Sequence, residues 1–202
     1  MVGGKMENKG IIYVASSTTD RELRSFDLTK RRGIRPDLEK AIEFFRDRIQ
    51  SRYLDQIHML NNAGEGVISN GFASMAICCL LIDTFYQFEH GLAKTVQNEV
   101  NYTEFLRTYL GDVFDTQEKA DRFYTDIRCG ILHSAQTKNG SKLSTAAGCA
   151  VQYIDATPGL PIIVDVRKME ERLLVYFHEY CERIRYDHTT QSNFVKKLRK
   201  MF

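Results

Sequence analysis

Hydrophobic residues recur every three or four positions over much of the chain, and this period predicts helices. A first stripe follows Pro36-Asp37, where the proline and acidic residues favour a helix start. It ends at Asn61-Asn62-Ala63-Gly64-Glu65-Gly66, so we expect a long amphipathic helix over about residues 37–60. Residues 67 to about 91 are apolar on nearly every side, which is typical of a helix packed against several neighbours.

The second half of the chain continues the pattern with one interruption. A short helix is predicted over residues 102–110, and Thr116 opens another, which Lys138-Asn139-Gly140-Ser141 ends. The runs 151–154 and 162–164 flank a Pro-Gly turn and predict a β-hairpin. A last helix begins near Asp165. The expected fold class is therefore all-α, a bundle of about five helices with a small β-hairpin before the last helix.

Composition fits a single domain, since 43% of the 202 residues are hydrophobic. We expect a weakly ordered N-terminal arm over 1–35, a helical domain over 36–187 and a basic C-terminal tail over 188–202. A net charge of +2 excludes a strongly basic nucleic-acid coat. Positive charge nevertheless clusters near both ends and either steers an RNA backbone or is simply solvated; the clustered residues are Lys30, Arg31, Arg32, Arg35, Lys196, Lys197, Arg199 and Lys200.

Cysteine usage and apolar runs suggest a cytoplasmic location. The five cysteines are odd in number and lack C-x-x-C spacing, as expected of reduced thiols. No secretory signal is recognisable, and the longest apolar run, 75–82, is shorter than the roughly 20 residues that cross a bilayer. We therefore predict a soluble protein with no membrane contact. His178, Cys181 and Glu182 lack a second pair of ligands, so no metal and no cofactor are expected.

Arg128 and His133 offer the clearest chemistry, lying five positions apart on the fourth predicted helix. The arginine fork matches a phosphate, and histidine transfers protons near neutral pH. Such a pair can cleave RNA, because the ribose 2′-OH attacks its own phosphorus and the protein need only move protons and stabilise charge. Alternatively the pair is accidental, with His133 packed at a helix end and Arg128 paired to a carboxylate such as Asp126.

The surrounding segment, Phe123-Tyr124-Thr125-Asp126-Ile127-Arg128-Cys129-Gly130-Ile131-Leu132-His133-Ser134-Ala135, resembles the R-x4–6-H segment of HEPN domains. The order of helices over about 36–187 is similar as well. The resemblance implies a metal-independent endoribonuclease, toxin or defence related, that acts as a homodimer on RNA and leaves a cyclic phosphate. It also implies a possible antitoxin or regulatory partner. His133 would be the general base or acid and Arg128 the phosphate and transition-state stabiliser, with Asp83 as an acid that orients Arg128.

Two features keep alternatives open. Many HEPN nucleases have a polar residue after the arginine, whereas this chain has Cys129, and some members of the family bind nucleotides or proteins without cutting. A purely structural helical protein explains the periodicity equally well. Residues five apart on an α-helix also point about 140° away from each other. We therefore expect Arg128 and His133 of one chain to converge poorly, and a second copy to complete the site.

Overall fold

A computed structural model of the chain describes residues 18, 20–30, 34–63, 67–95 and 98–201. It is mostly helical with a small sheet before the last helices, and this overall architecture agrees with the prediction from the sequence. The helices are α1 (Asp20–Arg24), α2 (Leu38–Ile49), α3 (Asp55–Asn61), α4 (Val67–His90), α5 (Asn98–Tyr109), α6 (Gln117–Arg122), α7 (Cys129–Ser134), α8 (Val166–Tyr186) and α9 (His188–Arg199). The strands are β1 (Lys142–Ser144), β2 (Val151–Tyr153) and β3 (Ile162–Asp165).

Two of the predicted helices contain π-helical segments. Gln50–Leu54 joins α2 to α3, so the first amphipathic helix runs on to Asn61 as expected, and Phe123–Arg128 joins α6 to α7. In a π-helical turn the amide bonds to the carbonyl five residues earlier, which inserts a residue and widens the helix. The apolar stripe alone does not reveal such an insertion.

Helix α4 is the centre of the molecule, as its nearly uniform apolar composition predicted. It contacts α3, α5, α8 and α9, and side chains such as Met75, Ile82 and Phe85 are fully buried. One face is left uncovered, where the Leu80 side chain is 45% exposed. By length and composition Asn70–His90 could also cross a membrane; the core helix of a globular protein passes the same test, so this is weak evidence.

The sheet contains the predicted hairpin and one further strand. β2 and β3 pair antiparallel, with Val151 opposite Val164. β1 lies on the other side of β3 and runs parallel to it, which the sequence did not predict because three residues are too few to show an alternating pattern. The α8 helix begins directly after β3, where the Asp165 carboxylate accepts hydrogen bonds from the next turn.

The C-terminal region differs from the basic tail expected over 188–202. Residues 188–199 form α9, which starts at Asp187, whose carboxylate accepts from the Thr190 amide at 2.6 Å. Phe194 is fully buried, with its ring centroid 5.4 Å from that of Phe45. The sequence does not reveal this helix because its first half is polar and its apolar residues are confined to the second half, where Lys196, Lys197, Arg199 and Lys200 lie among them.

The expected N-terminal arm falls only partly within the described residues. The Ile11–Val14 run, Arg31 and Arg32 lie outside them. Leu23 and Leu28 are buried against the rest of the core, so at least this part of residues 1–35 is packed onto the domain.

A charged network lies inside the helical core around Glu89. Its carboxylate accepts a hydrogen bond from the Tyr176 hydroxyl at 2.6 Å and forms an ion pair with Arg183. Its backbone carbonyl accepts from the Asn193 side chain, also at 2.6 Å. The Arg183 guanidinium in turn lies 5.2 Å from the centre of the Tyr109 ring. Burying a charge is costly unless it is paired, and here both partners of the carboxylate come from α8.

Candidate functional site

The helix that carries Arg128 and His133 is continuous from α6 through the π-helical segment to α7. Thr116 begins it as predicted, with its hydroxyl accepting from the Lys119 amide at 3.2 Å. Arg128 is the last residue of the π-helical segment, and His133 lies in the last turn of α7. The helix ends at Ala135, whose φ of 53° is left-handed. π-helical turns are rare and frequently occur at functional sites.

The structure brings Arg128 and His133 together within one chain. Arg128 Nη1 lies 3.2 Å from His133 Nε2. The expectation that the two converge poorly was therefore wrong. The two backbone positions are separated by a rise of about 7.5 Å along the helix, and the long arginine side chain spans that distance despite the angular offset. An arginine donates only, so in this contact the Nε2 lone pair accepts from Nη1.

Arg128 is not paired with a carboxylate, as it would be if the Arg128–His133 pair were accidental. Within the described residues it forms no ion pair with Asp126 or with any other carboxylate. Nη1 also contacts Cys129 Sγ at 3.8 Å, and the guanidinium carbon lies 5.4 Å from the centre of the Tyr124 ring. Burial opposes its charge, but contacts with Cys129 and Tyr124 outweigh that effect and raise the pKa of Arg128. The guanidinium therefore remains a free positive charge.

Part of the hydrogen-bonding capacity of the Arg128 guanidinium is unused. Nε is buried and has no hydrogen-bond partner, and Nη2 forms no hydrogen bond to the described residues. An unsatisfied buried donor costs about 1–3 kcal/mol, although several other buried polar side-chain atoms among the described residues share this property. The Nη2 donor is the one left for a bound oxyanion.

Asp126 instead holds the loop that follows the motif helix. It is only 1% exposed, and its two oxygens accept from Asn139 Nδ2 at 2.6 Å and Ser141 Oγ at 2.8 Å. Its backbone carbonyl accepts from the Lys138 amide at 2.9 Å. The loop that leads into β1 is thereby tied to the motif helix two residues before Arg128. Sequence reasoning missed this role because the partners are more than ten residues away.

Gly130 permits the same loop to pack on the helix. A Cβ at this position would lie 2.5 Å from the Gln136 carbonyl oxygen, closer than real Cβ contacts. The glycine inside the motif was the signal available in the sequence. Its role is to let the chain fold back directly behind the Arg128–His133 pair.

A groove of about 470 Å³ begins beside Arg128 and runs along the uncovered face of α4. Asp83 lines it together with Arg128, but no hydrogen bond or ion pair joins the two side chains. Its role as an orienter of Arg128 stays a prediction. Leu80 and Leu132 are 45% and 43% exposed on the groove walls, which are largely apolar. The groove residues are Ala76, Ile77, Cys79, Leu80, Asp83, Thr84, Gln87, Arg128 and Leu132.

The other cluster considered from the sequence does not form a common site. Cys181 is buried in the core, and Glu182 binds Arg185. Over the part of the chain that the structure describes, no group of three or more His, Cys, Asp or Glu side chains is placed to hold a metal ion.

Comparison with models of protein families, with curated proteins and with solved structures found no match in any of the three. The resemblance to HEPN domains thus rests on residues 123–135 and on the order of the helices.

Proposed function

We propose that the protein is a metal-independent endoribonuclease of the HEPN type. The observation that carries the proposal is the 3.2 Å contact between Arg128 Nη1 and His133 Nε2. The contact joins a permanent positive charge, which is paired with no described carboxylate, to a nitrogen that can accept a proton. His133 is exposed and within reach of a substrate.

The reaction assigns one role to each side chain. On binding, the ribose 2′-OH takes the place of Arg128 Nη1 at His133 Nε2, whose single lone pair then accepts the 2′-OH proton, and the 2′-oxygen attacks the adjacent phosphorus. Arg128 donates to the nonbridging phosphate oxygens, which gain charge in the transition state. The bond from phosphorus to the 5′-oxygen breaks, and the proton taken by His133 passes to that oxygen. The products are a 2′,3′-cyclic phosphate and a 5′-hydroxyl. The guanidinium supplies the charge stabilisation, so the mechanism needs no metal ion.

The test is cleavage of total RNA by the purified chain in EDTA, with the product ends identified by mass spectrometry. We expect cyclic phosphate ends. His133→Ala should abolish cleavage, and the exposed His178→Ala should serve as a matched control with unchanged activity. Arg128→Lys should be nearly as damaging as Arg128→Ala, since a lysine retains the charge but cannot hold one fixed donor on His133 while another faces the oxyanion. Activity that disappears in EDTA and returns with magnesium would overturn this mechanism.

The HEPN resemblance further supports a cytoplasmic toxin or defence role, a homodimer and an antitoxin or regulatory partner as parts of the same proposal. The contact within one chain means that a dimer is not needed to unite Arg128 with His133. Co-refolded Arg128→Ala and His133→Ala chains test this point. A pair acting within one chain predicts no recovery of cleavage in the mixture, whereas recovery would show that the pair acts across chains.

The groove beside Arg128 favours a second candidate, a module that binds a nucleotide without cutting RNA. Cys129 is compatible with it, because its sulfur already accepts from Arg128 Nη1. Saturable nucleotide binding without any RNA cleavage in the assay above would select this candidate.

A further inference from the structure

Two polar side chains face the apolar groove from α4. Asp83 and Gln87 are four residues apart, so they lie on the same side of the helix, and both line the groove. Asp83 is half-buried, and within the described residues its carboxylate has no hydrogen bond or ion pair. The carboxylate interacts at longer range with Lys197, but since no hydrogen bond uses its oxygens, their acceptor capacity is available to a ligand. The volume of about 470 Å³ lies within the usual range for small-molecule sites.

The orientation of the Gln87 amide follows from its neighbour Lys197. Lys197 Nζ donates to Gln87 Oε1 at 2.6 Å and to the Ala93 carbonyl at 3.1 Å. An ammonium group can only donate, so the amide oxygen must point toward it. The Gln87 Nε2 group makes no hydrogen bond to the described residues and is left as a donor. The groove therefore offers two acceptor oxygens from Asp83 and, one turn along, donors from Gln87.

That arrangement matches the Watson–Crick edge of guanine better than that of any other standard base. Guanine presents two adjacent donors, N1–H and the N2 amino group, beside the O6 acceptor. Uracil has one donor between two carbonyls, and adenine and cytosine each have a single amino group beside ring acceptors. Proteins that recognise single-stranded RNA commonly bind unstacked bases by this edge and cover the faces with flat or apolar groups. Leu80 and Leu132 are placed to do so.

We infer that the groove along α4 binds the guanine base of an RNA nucleotide, with Asp83 accepting from N1–H and N2–H and Gln87 donating to O6. The phosphate of the same nucleotide then faces Arg128, which lines the groove beside these residues. The inference rests on the proposed function, because it names the nucleotide at which the Arg128–His133 pair acts. It assigns Asp83 a recognition role in place of the orienting role expected from the sequence.

A protein or a second copy of the chain is a less suitable occupant. The exposed Leu80 and Leu132 side chains would suit an apolar partner, but such a partner would leave the Asp83 carboxylate and the Gln87 Nε2 group buried without hydrogen bonds. A guanine nucleotide satisfies both groups and supplies the anion for Arg128.

The test measures binding of nucleoside 5′-monophosphates to the full chain by calorimetry. Guanosine monophosphate should bind about 10- to 100-fold more tightly than the adenosine, cytidine and uridine compounds, which is the discrimination that a good bidentate pair provides. Inosine monophosphate, which lacks the 2-amino group, should bind about tenfold more weakly than the guanosine compound.

The Asp83→Asn variant gives the sharpest result. An amide offers one donor and one acceptor, which fits the C2 carbonyl and N1–H of xanthine. The variant should lose about 10- to 100-fold in affinity for guanosine monophosphate and gain affinity for xanthosine monophosphate. Asp55→Asn, which removes the same charge from an exposed position outside the groove, should leave the order of affinities unchanged. Unfolding temperatures of both variants would show that the fold is intact.

The outcomes separate the inference from the proposed function. Equal affinities for all nucleotides, or an Asp83→Asn variant with unchanged preference, would overturn the guanine site even if RNA is cleaved. Selective guanine binding without RNA cleavage would support the site and refute the nuclease. If no nucleotide binds and sedimentation shows self-association through Leu132, the groove is the contact surface for a second copy of the chain. That result would overturn the inference.

Discussion

Gly130→Ala should destabilise the protein, although alanine is the better helix former. The added Cβ would lie 2.5 Å from the Gln136 carbonyl oxygen, which belongs to the backbone of a loop tied down by the Lys138–Asp126 hydrogen bond. Overpacking of this kind costs about 1–3 kcal/mol, whereas replacing a helical glycine gains about 0.8–1 kcal/mol. The net loss should be about 0–2 kcal/mol, which lowers the Tm of a chain of this size by up to about 8 °C.

Gly71→Ala is a matched control in another helix. Its Cβ would meet Val166 Cγ1 at 3.7 Å, an ordinary van der Waals contact. This substitution should raise the Tm slightly, since only the helix preference remains. Differential scanning calorimetry of both variants measures the contrast. If Gly130→Ala raises the Tm as much as Gly71→Ala does, the close packing of the 136–138 loop on the motif helix is refuted.

Three further predictions concern other parts of the molecule. Phe194→Ala should lower the free energy of unfolding in guanidinium by about 3–5 kcal/mol because α9 belongs to the core. The exposed Tyr186→Ala should lower it by under about 1 kcal/mol, and an equally small loss for Phe194→Ala would contradict this packing. Burial raises the pKa of Cys79 to about 12, so iodoacetamide at pH 8 should modify the exposed Cys149 and spare Cys79 until the protein is denatured, as peptide mass spectrometry would show. Hydrogen bonds from Thr190 hold the pKa of the Asp187 carboxyl below its usual value. The carboxylate therefore stabilises the fold above the pKa of the unfolded state, and this effect is lost as pH falls through the lower pKa of the folded state. Asp187→Ala should lower the Tm at pH 7, and an equal lowering at pH 3 would argue against this helix cap.

The helices that the sequence revealed are those whose buried faces are dense in large apolar residues. The α8 stripe of Met169, Leu173 and Phe177 is regular enough to be recognised without the structure, and all three are fully buried. In α9 the buried Phe194 and Leu198 are separated by charged residues, and one of those, Lys197, is itself buried and bonded internally. Local pattern cannot distinguish such a lysine from a solvated one.

The candidate site was predictable in its residue types and not in its geometry. The sequence predicts Arg128 and His133 on one helix, but their contact depends on the reach of the arginine side chain, which an angular argument ignores. The amide orientation of Gln87 depends on Lys197, 110 residues later in the chain. Contacts of that kind arise only from the packing of α9 on α4, which the sequence did not predict.

Glu89 also determines how far α4 can slide against its neighbours. If one helix shifts by one turn, about 5.4 Å, its apolar side chains can still pack into the grooves of its neighbour. Hydrogen bonds to one carboxylate and one carbonyl have no equivalent position a turn away, so Tyr176 and Asn193 fix the height of α4 relative to α8 and α9. Gln87 and Lys197 are carried on those same two helices, α4 and α9. A substitution at Glu89 would remove the carboxylate's bonds to α8 and keep the Asn193 bond to the backbone carbonyl, so Asn193→Ala is the change that would loosen α9 on α4 and, with it, the Gln87–Lys197 pair, without touching the groove.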